Sequence, residues 1–495
     1  MSFQQPPIRK QAKKNFTDEG DQLFKMGIKI LQQSKSQKQK AEAYMFFAKA
    51  ADMGNLKAME KMADALLFGN FGMQNITAAI QLYESLAKEG SYKAQNALGF
   101  LSSYGIGMEY NQAKALIYYT FGSAGGSMMS QMILGYRYLS GINVLQNCEV
   151  ALNHYKKVAD YSISWTITSN WEERSGSGLL QSIILLLKGS KGWECKCHGI
   201  YWKGQCNWSS WAWSSLLLWK RSSCAGSGVW KDYKLAFKYF YLASQSGQPL
   251  AIYYLAEMYA TGTGVLRSCR TAVELYKGVC ELGHWAEKFL TAYFAYKDGD
   301  IDSSLVQYAL LAEMGYEVAQ SNSAFILESK KAKIFEKEKM YPMALLLWNR
   351  AAIQGNAFAR VKIGDYHYYG YGTKKDYQTA ATHYSIAADK YHSAQAMFNL
   401  AYMYEHGLGI AKDIHLARRL YDMAAQTSPD AHIPVFFALV KLETVHLFQD
   451  ILFFNQFTMR WKWMKLDNTL GPYWDLFVIG LIVTVLIFLL RNCYG

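Results

Sequence analysis

"VKIGDYHYYGYGTKKDYQTAATHYSIAADKYHSAQAMFNLAYMYEHGLGIAKDIHLARRLYDMAA", Val361 to Ala425, states one plan twice. An apolar, tyrosine-rich run ends in a G-x-G pair, and a run with alanines at helical spacing follows. The pairs begin at Gly370 and Gly407, 37 residues apart. Upstream, Gly69, Gly105 and Gly141 are spaced by 36, as are Gly226 and Gly262. A fixed period of this size signals a stacked array of short structural units. A second marker, G-x-x-x-A, falls at Gly54/Ala58, Gly90/Ala94, Gly247/Ala251, Gly315/Ala319 and Gly355/Ala359, so each unit has two turns. Between turns the periodicity is helical: in Asp232 to Gly247, Leu235, Phe237, Tyr239, Leu242 and Ala243 share a face of period 3.6. Each unit is therefore a helix, a tight turn and a second helix, with glycine taking the left-handed C-cap conformation. Such a pair cannot bury its apolar face alone and must stack on its neighbours.

Bulk properties agree with a folded, helical chain. The 495 residues are 51% hydrophobic, with 36 tyrosines and only 7 prolines. The net charge of +13 is spread along the chain, and no nucleic-acid-binding signature accompanies it. The glycine pairs are not a nucleotide loop, because no strand precedes them and no third glycine or P-loop lysine follows in register. Asp365, His367 and His383 could be imagined as an acid–base cluster. They sit at repeat positions beside tyrosines, which points to structural roles. No nucleophile elbow, HExxH helix or other catalytic spacing is present, so an enzyme is not expected. No metal ligand set or cofactor motif is expected either.

The unit "A…LG…Y..G.G…D..KA…Y…AA..G…A" resembles the Sel-1-like repeat, a relative of the tetratricopeptide repeat. "RSCRTAVELYKGVCELGHW" (Arg267 to Trp285), "EMGYEVAQSNSAFILE" (Glu313 to Glu328) and "LGPYWDLFVIG" before an apolar tail are similar to the sel-1 homolog family. Those proteins are adaptor subunits of the HRD-type ubiquitin ligase in endoplasmic-reticulum-associated degradation (ERAD). The resemblance covers about residues 41–162 and 226–491. It implies an all-α, right-handed α-α superhelix with a C-terminal transmembrane helix, in the endoplasmic reticulum membrane. It also implies a non-catalytic scaffold whose partners are the membrane ligase, misfolded glycoprotein clients and lectins, and self-association through central repeats, which this version is expected to lose or alter. The rival expectation is a cytosolic, tail-anchored interaction scaffold unrelated to degradation.

The expected organisation is a basic N-terminal segment (1–40), a first repeat block (41–162), an aberrant segment (163–225), a second block (226–430), an amphipathic segment (431–470) and a membrane helix (474–491). From Leu476 to Leu490 run 15 uncharged residues between Asp475 and Arg491, slightly under the roughly 17 to 25 that usually span a bilayer. Tyr473 and Trp474 supply interfacial anchors. The N-terminal stretch shows no apolar signal-peptide core, which sets the cytosolic expectation against the lumenal one. Asn15 in "NFT" and Asn75 in "NIT" are glycosylation sequons that carry meaning only in the lumen. Cys269 and Cys280 are a disulfide candidate in an oxidising compartment and free buried thiols otherwise.

The aberrant segment carries "WECKCHGIYWKGQCNWSSWAWSSLLLWKRSSC", Trp193 to Cys224, with six of the 14 tryptophans and four of the eight cysteines. Cys195, Cys197 and His198 lack the spacing of a zinc knuckle. Tryptophan has a single codon, which reads as glycine one nucleotide later. That shift puts glycines at Trp171, Trp193 and Trp202, where the repeat wants them, and makes G-x-x-G-x-G of Trp208, Trp211 and Trp213. Residues 163–225 are therefore read as translated out of frame. They are expected to form no regular repeat.

Overall fold

The computed structural model describes residues 8–34, 37–70, 74–174, 232–282, 286–450, 480–481 and 484. Among these the secondary structure is helical, without strands. The chain divides into two compact units, residues 1–340 and 341–495. Unit 1 contains α1 (Ile8–Gln33), α2 (Gln37–Asp52), α3 (Leu56–Phe68), α4 (Ile76–Lys88), α5 (Tyr92–Tyr104), α6 (Gln112–Ala124), α7 (Met128–Ser140) and α8 (Cys148–Arg174). It continues with α9 (Tyr233–Gln245), α10 (Pro249–Thr261), α11 (Cys269–Glu281), α12 (Ala286–Lys297), α13 (Ile301–Glu313) and α14 (Glu317–Glu328). The division falls within α15 (Lys337–Ile353). Unit 2 then holds α16 (Ala357–Tyr369), α17 (Tyr377–Tyr391), α18 (Ala394–His406), α19 (Ile414–Thr427) and α20 (His432–Asp450).

Sequence dictates where these helices start and stop. Asn55, Asn75, Ser91, Asn111 and Ser127 each sit in extended backbone and accept the N–H three residues on, as an N-cap does. Gly69, Gly105, Gly141, Gly262, Gly370 and Gly407 close helices in the left-handed region, with φ from 67° to 78°. Gly226 lies outside the described residues. At Gly105 the turn tightens further. Gly107 also has positive φ (67°), and a Cβ there would stand 2.6 Å from Ile76, so the loop runs directly over the previous pair.

Helix pairs close through one recurring contact. Six residues before each turn glycine stands a small residue, and 20 residues after it a tyrosine. The steps are Ala63 to Tyr83, Gly99 to Tyr119, Gly135 to Tyr155, Ala256 to Tyr276, Gly364 to Tyr384 and Ala401 to Tyr421. All six tyrosines are buried. Where the small residue is glycine, the ring lies on its Cα: a Cβ would meet Tyr119 at 2.9 Å, Tyr155 at 3.0 Å and Tyr384 at 2.5 Å. In unit 2, Tyr384 and Tyr421 belong to one core with Leu400, Met403, Val435 and Leu442.

In unit 1 the chain before residue 175 packs on the chain after residue 231. Helix α8 lies against α11 as well as against its own partner α7, and α13 touches α3. The compact division thus falls at residue 340 and not at the interrupting segment. Helix α8 also runs past Ile163 to Arg174, because neither glycine nor proline intervenes before Gly176 to stop it. The rest of the segment from residue 175, with Trp193 to Cys224, lies outside the described residues.

These contacts give a direct test. Gly364→Ala drives a methyl into the Tyr384 ring and should cost about 1–3 kcal/mol, the range for overpacking a closed core. Gly278→Ala, where nothing lies within 4 Å of the new Cβ, should leave stability unchanged or raise it by up to about 1 kcal/mol through helix propensity. Urea denaturation of both variants checks the pair.

Candidate interaction cleft

The inward faces of α3, α5 and the start of α7 leave a cleft of about 420 Å³ in unit 1, bounded on the far side by α8, α12 and α13. Its walls are apolar and aromatic, with Phe68, Phe100, Met128, Met129, Val158 and Leu310 among the lining residues. Tyr92 and Tyr161 also line it and are 38% and 48% exposed, which puts them at its mouth. The floor is held by polar contacts. Asn96 is buried, accepts from Ser130 Oγ at 2.9 Å and reaches Met129 Sδ at 3.7 Å.

Three charged side chains line the cleft: Asp64, Lys93 and Lys288. Asp64 accepts a 2.7 Å hydrogen bond from Tyr83 Oη. Burial pushes its carboxyl above the usual range, against the pull of the Tyr83 hydrogen bond and of Lys61, Lys288 and Lys93. Burial likewise lowers Lys288, with Asp64 opposing. Lys93 is half exposed and pairs with Glu60 at 3.2 Å, while Ser91 Oγ donates to the other Glu60 oxygen at 2.6 Å. A desolvated lysine and a carboxyl held toward its neutral form thus face the same opening.

The frame behind the cleft is tied across the chain. Arg137 on α7 donates to Glu313 at 2.6 and 3.0 Å, and to Gln112 at 2.9 Å, with both ionic side chains buried. Its guanidinium stacks over Tyr119, 5.0 Å from the ring centre. Gln320 Nε2 donates to Tyr136 Oη at 3.0 Å. Ser303 Oγ donates to the Phe68 carbonyl. At one end, Cys148 and Cys269, 121 positions apart in sequence, form a disulfide with Cα atoms 6.1 Å apart. Beside it, Arg267 holds Glu149 through both carboxylate oxygens at 2.7 and 2.8 Å.

The disulfide corrects the expected pairing of Cys269 with Cys280. Both residues stand on α11, 11 positions apart, so about 16 Å of helix separates them. Cys280 is instead a free, buried thiol that donates to the Tyr155 carbonyl at 3.6 Å. Asn75 is exposed and N-caps α4, whereas Asn15 lies on α1 with its side chain outside the described residues. Leu476 and Leu490 also lie outside them. Among the described residues no helix is long and apolar enough to cross a membrane. Asp365 accepts from Tyr384 Oη at 2.7 Å and Asn399 at 3.4 Å, so it serves the helix pair. The His367 and His383 rings stack 6.1 Å apart. Burial, then Arg360 and His367, lowers His383 to about 4. Sequence reasoning missed the cleft: its residues come from seven helices, and only the 36-residue spacing of Asp64 and Phe100 hinted at a shared face.

The Sel1 repeat family matches residues 23–55, 56–91, 93–127, 129–160, 223–248, 249–284, 357–392 and 394–426, more than half of the chain. Human protein sel-1 homolog 2 is 68% identical over 608 aligned positions, covering 99% of this chain and 86% of that protein. The mouse protein of the same name is 67% identical, covering 97% and 85%. Those alignments are longer than the chain, so the relatives carry residues inside the matched span that this chain lacks. The Arabidopsis thaliana ERAD-associated E3 ubiquitin-protein ligase component HRD3B is 31% identical, covering 78% of this chain and 75% of that protein. Residues 161–222 and 285–356 fall between the repeat matches, yet α12 to α15 within the second interval are helical all the same.

The buried ion pair gives the site its test. Arg137→Met leaves the Glu313 charge buried without its main partner and should cost about 3–5 kcal/mol. The double variant Arg137→Met/Glu313→Leu should recover most of that loss, because a well-packed apolar pair can replace a buried ionic one. Chemical denaturation of the three proteins decides it.

Proposed function

Because the chain belongs to the Sel1-repeat, sel-1 homolog family, we propose that it is a non-catalytic adaptor of ERAD, holding a membrane ubiquitin ligase and misfolded clients together. The observation that carries this is its kinship, over three quarters of both chains, with a plant protein named as a component of an ERAD-associated ubiquitin ligase. The solenoid suits the task. Stacked pairs present a long surface of side chains without any one of them having to react.

The repeats belong on the lumenal side of the membrane. The Cys148–Cys269 disulfide supports this, since such bonds persist in oxidising compartments and are rare in the cytosol. So does the exposure of Asn75 in its sequon. Residues 474–491 act as the anchor, with Leu476 to Leu490 in the bilayer. The segment 163–225 is a product of the wrong reading frame, and sequencing the transcript across those codons tests that directly.

Two outcomes follow. In mild detergent the full chain should bring down the membrane ligase, and deleting Leu476 to Gly495 should weaken the recovery; equal recovery of both would rule out anchoring as the link. In cells, Asn75→Gln should remove one endoglycosidase-sensitive mass shift, and Cys148 should react with maleimide only after reduction. A free Cys148 thiol together with an unglycosylated Asn75 would place the repeats in the cytosol.

A further inference from the structure

One slot between paired helices is filled differently in the two units, and the difference leaves one joint without an acceptor. In unit 1 the slot lies between α7 and α8. His154, the residue before the buried Tyr155, stacks on Tyr138 with ring centres 6.2 Å apart. Its Nδ1 lies 2.5 Å from Gln131 Oε1, while Gln131 Nε2 donates to the Ser123 carbonyl at 3.0 Å. The second bond turns the amide oxygen toward the imidazole, so His154 Nδ1 is the donor.

In unit 2 the slot recurs between α16 and α17, position for position. His383 precedes the buried Tyr384 and stacks on His367, which stands three residues after Gly364 as Tyr138 does after Gly135. Arg360 takes the place of Gln131, four residues before the glycine. Its Nη2 donates to the Ala352 carbonyl at 3.1 Å, eight residues back, just as Gln131 donates to Ser123. A guanidinium has only donors, so nothing replaces the oxygen of Gln131. Arg360 Nε, His367 Nδ1 and His383 Nδ1 are all buried without a hydrogen-bond partner. In the other pairs the residue before the tyrosine is Leu82, Tyr118, Leu275 or Leu420, none of them an imidazole.

The surrounding carboxylates are committed elsewhere. The charged groups acting on His383 are Arg360 and His367 of α16. Along α17, Asp376 and Lys390 lie seven residues to either side, both exposed; Asp376 accepts from Gln378 and Thr379 as the N-cap, and Lys390 lies over Tyr391. Asp365 receives Tyr384 and Asn399, and Glu405 of α18 receives Tyr421 and pairs with Lys441. From α15 comes the Ala352 carbonyl, already taken by Arg360. Burial, then Arg360 and His367, hold His383 at about 4, below its ordinary 6.5. The folded form thus binds fewer protons than the unfolded one between these values, and stability is lost as pH falls from about 6.5 toward about 4. Burial and then Lys157 lower His154 as well. A protonated His154 keeps its Nδ1–H bond to Gln131, however, whereas a protonated His383 becomes a donor facing donors.

We propose that the α16/α17 pair is an acid-sensitive joint: a proton on His383 sets an unaccepted N–H and a second positive charge against Arg360, so the pair loosens in mildly acid surroundings while its α7/α8 counterpart stays closed. Unit 2 thus keeps its packing in a near-neutral compartment and loses it in an acidic one, whatever the repeats bind.

Hydrogen exchange of the full chain in detergent, compared at about pH 7 and about pH 5 after correction for intrinsic rates, reads both joints in one sample. Protection of α16 and α17 should fall about ten-fold at the lower pH, the order expected of a histidine whose proton affinity drops on folding, and well beyond the fall in α7 and α8. Two variants approach the slot from opposite sides. Arg360→Gln restores the oxygen that Gln131 supplies, and His383→Leu removes the base, as at Leu420; each should reduce the loss to the α7/α8 level. Rescue by Arg360→Gln is an outcome that a generally weaker unit 2 would not give. Equal loss in the two joints of the unaltered chain would overturn the proposal, and that comparison decides it even if a variant fails to fold. So would the full loss at low pH persisting in either folded variant.

Discussion

The contact of a tyrosine ring with a glycine Cα, 20 residues earlier on the partner helix at Gly99, Gly135 and Gly364, sets the spacing of the helix pairs on which the rest of the array is built. A ring laid flat on a helix backbone brings the two axes closer than any pair of larger side chains would. A hydroxyl buried this way is stabilised where a partner lies inside the pair. In three pairs an acid on the opposing helix supplies it: Tyr83 with Asp64, Tyr384 with Asp365, and Tyr421 with Glu405 at 2.9 Å. Each of these acids thereby ties the two helices of its pair together. The histidines beside Asp365 are drawn into the same packing, which is why their nearness in sequence produces no acid–base pair.

Close pairs make a tightly curved array, and in unit 1 the curve is filled by the chain's own later helices. Glycine at 315 lets α13 and α14 approach the first repeats, since a Cβ there would meet the Tyr136 ring at 2.7 Å. The Arg137–Glu313 pair then fixes the register of the inner helices. A buried ion pair adds little net stability but strongly penalises misalignment, because a shift of one residue would strand both charges away from water. The disulfide closes a loop of 121 residues. It holds α8 to α11 whatever the intervening chain does, and its stabilisation grows with the size of the loop it closes.

The parts of this structure visible in the sequence are those with a period. Gly69, Gly105, Gly141, Gly262, Gly370 and Gly407 announce themselves because left-handed backbone excludes most other residues, and the repeat resemblance follows from their spacing. What stayed hidden depends on contacts that no period encodes. Cys148 gives no local sign that it will meet Cys269, and Cys280 cannot serve as the partner of Cys269 because both stand on one helix, which cannot fold back on itself. The continuation of α8 past Ile163 is hidden for a different reason: the repeat pattern stops there, while a helix continues as long as no breaker intervenes. The cleft was hidden because curvature, not composition, brings Phe68 and Lys288 to one opening.

One register position shows how a repeating frame acquires a particular site. The residue immediately after the small one, at 64, 100 and 136, recurs every 36 positions. The small residue faces the paired helix, so its neighbour is turned about 100° around the axis toward the inside of the curve. Tyr136 uses that position to receive Gln320 and to pack on Gly315, closing the array. Phe100 and Asp64, one and two repeats earlier, are left lining the cleft. The same backbone slot therefore serves as a clasp where the inner helices reach it and lines an open cleft where they do not.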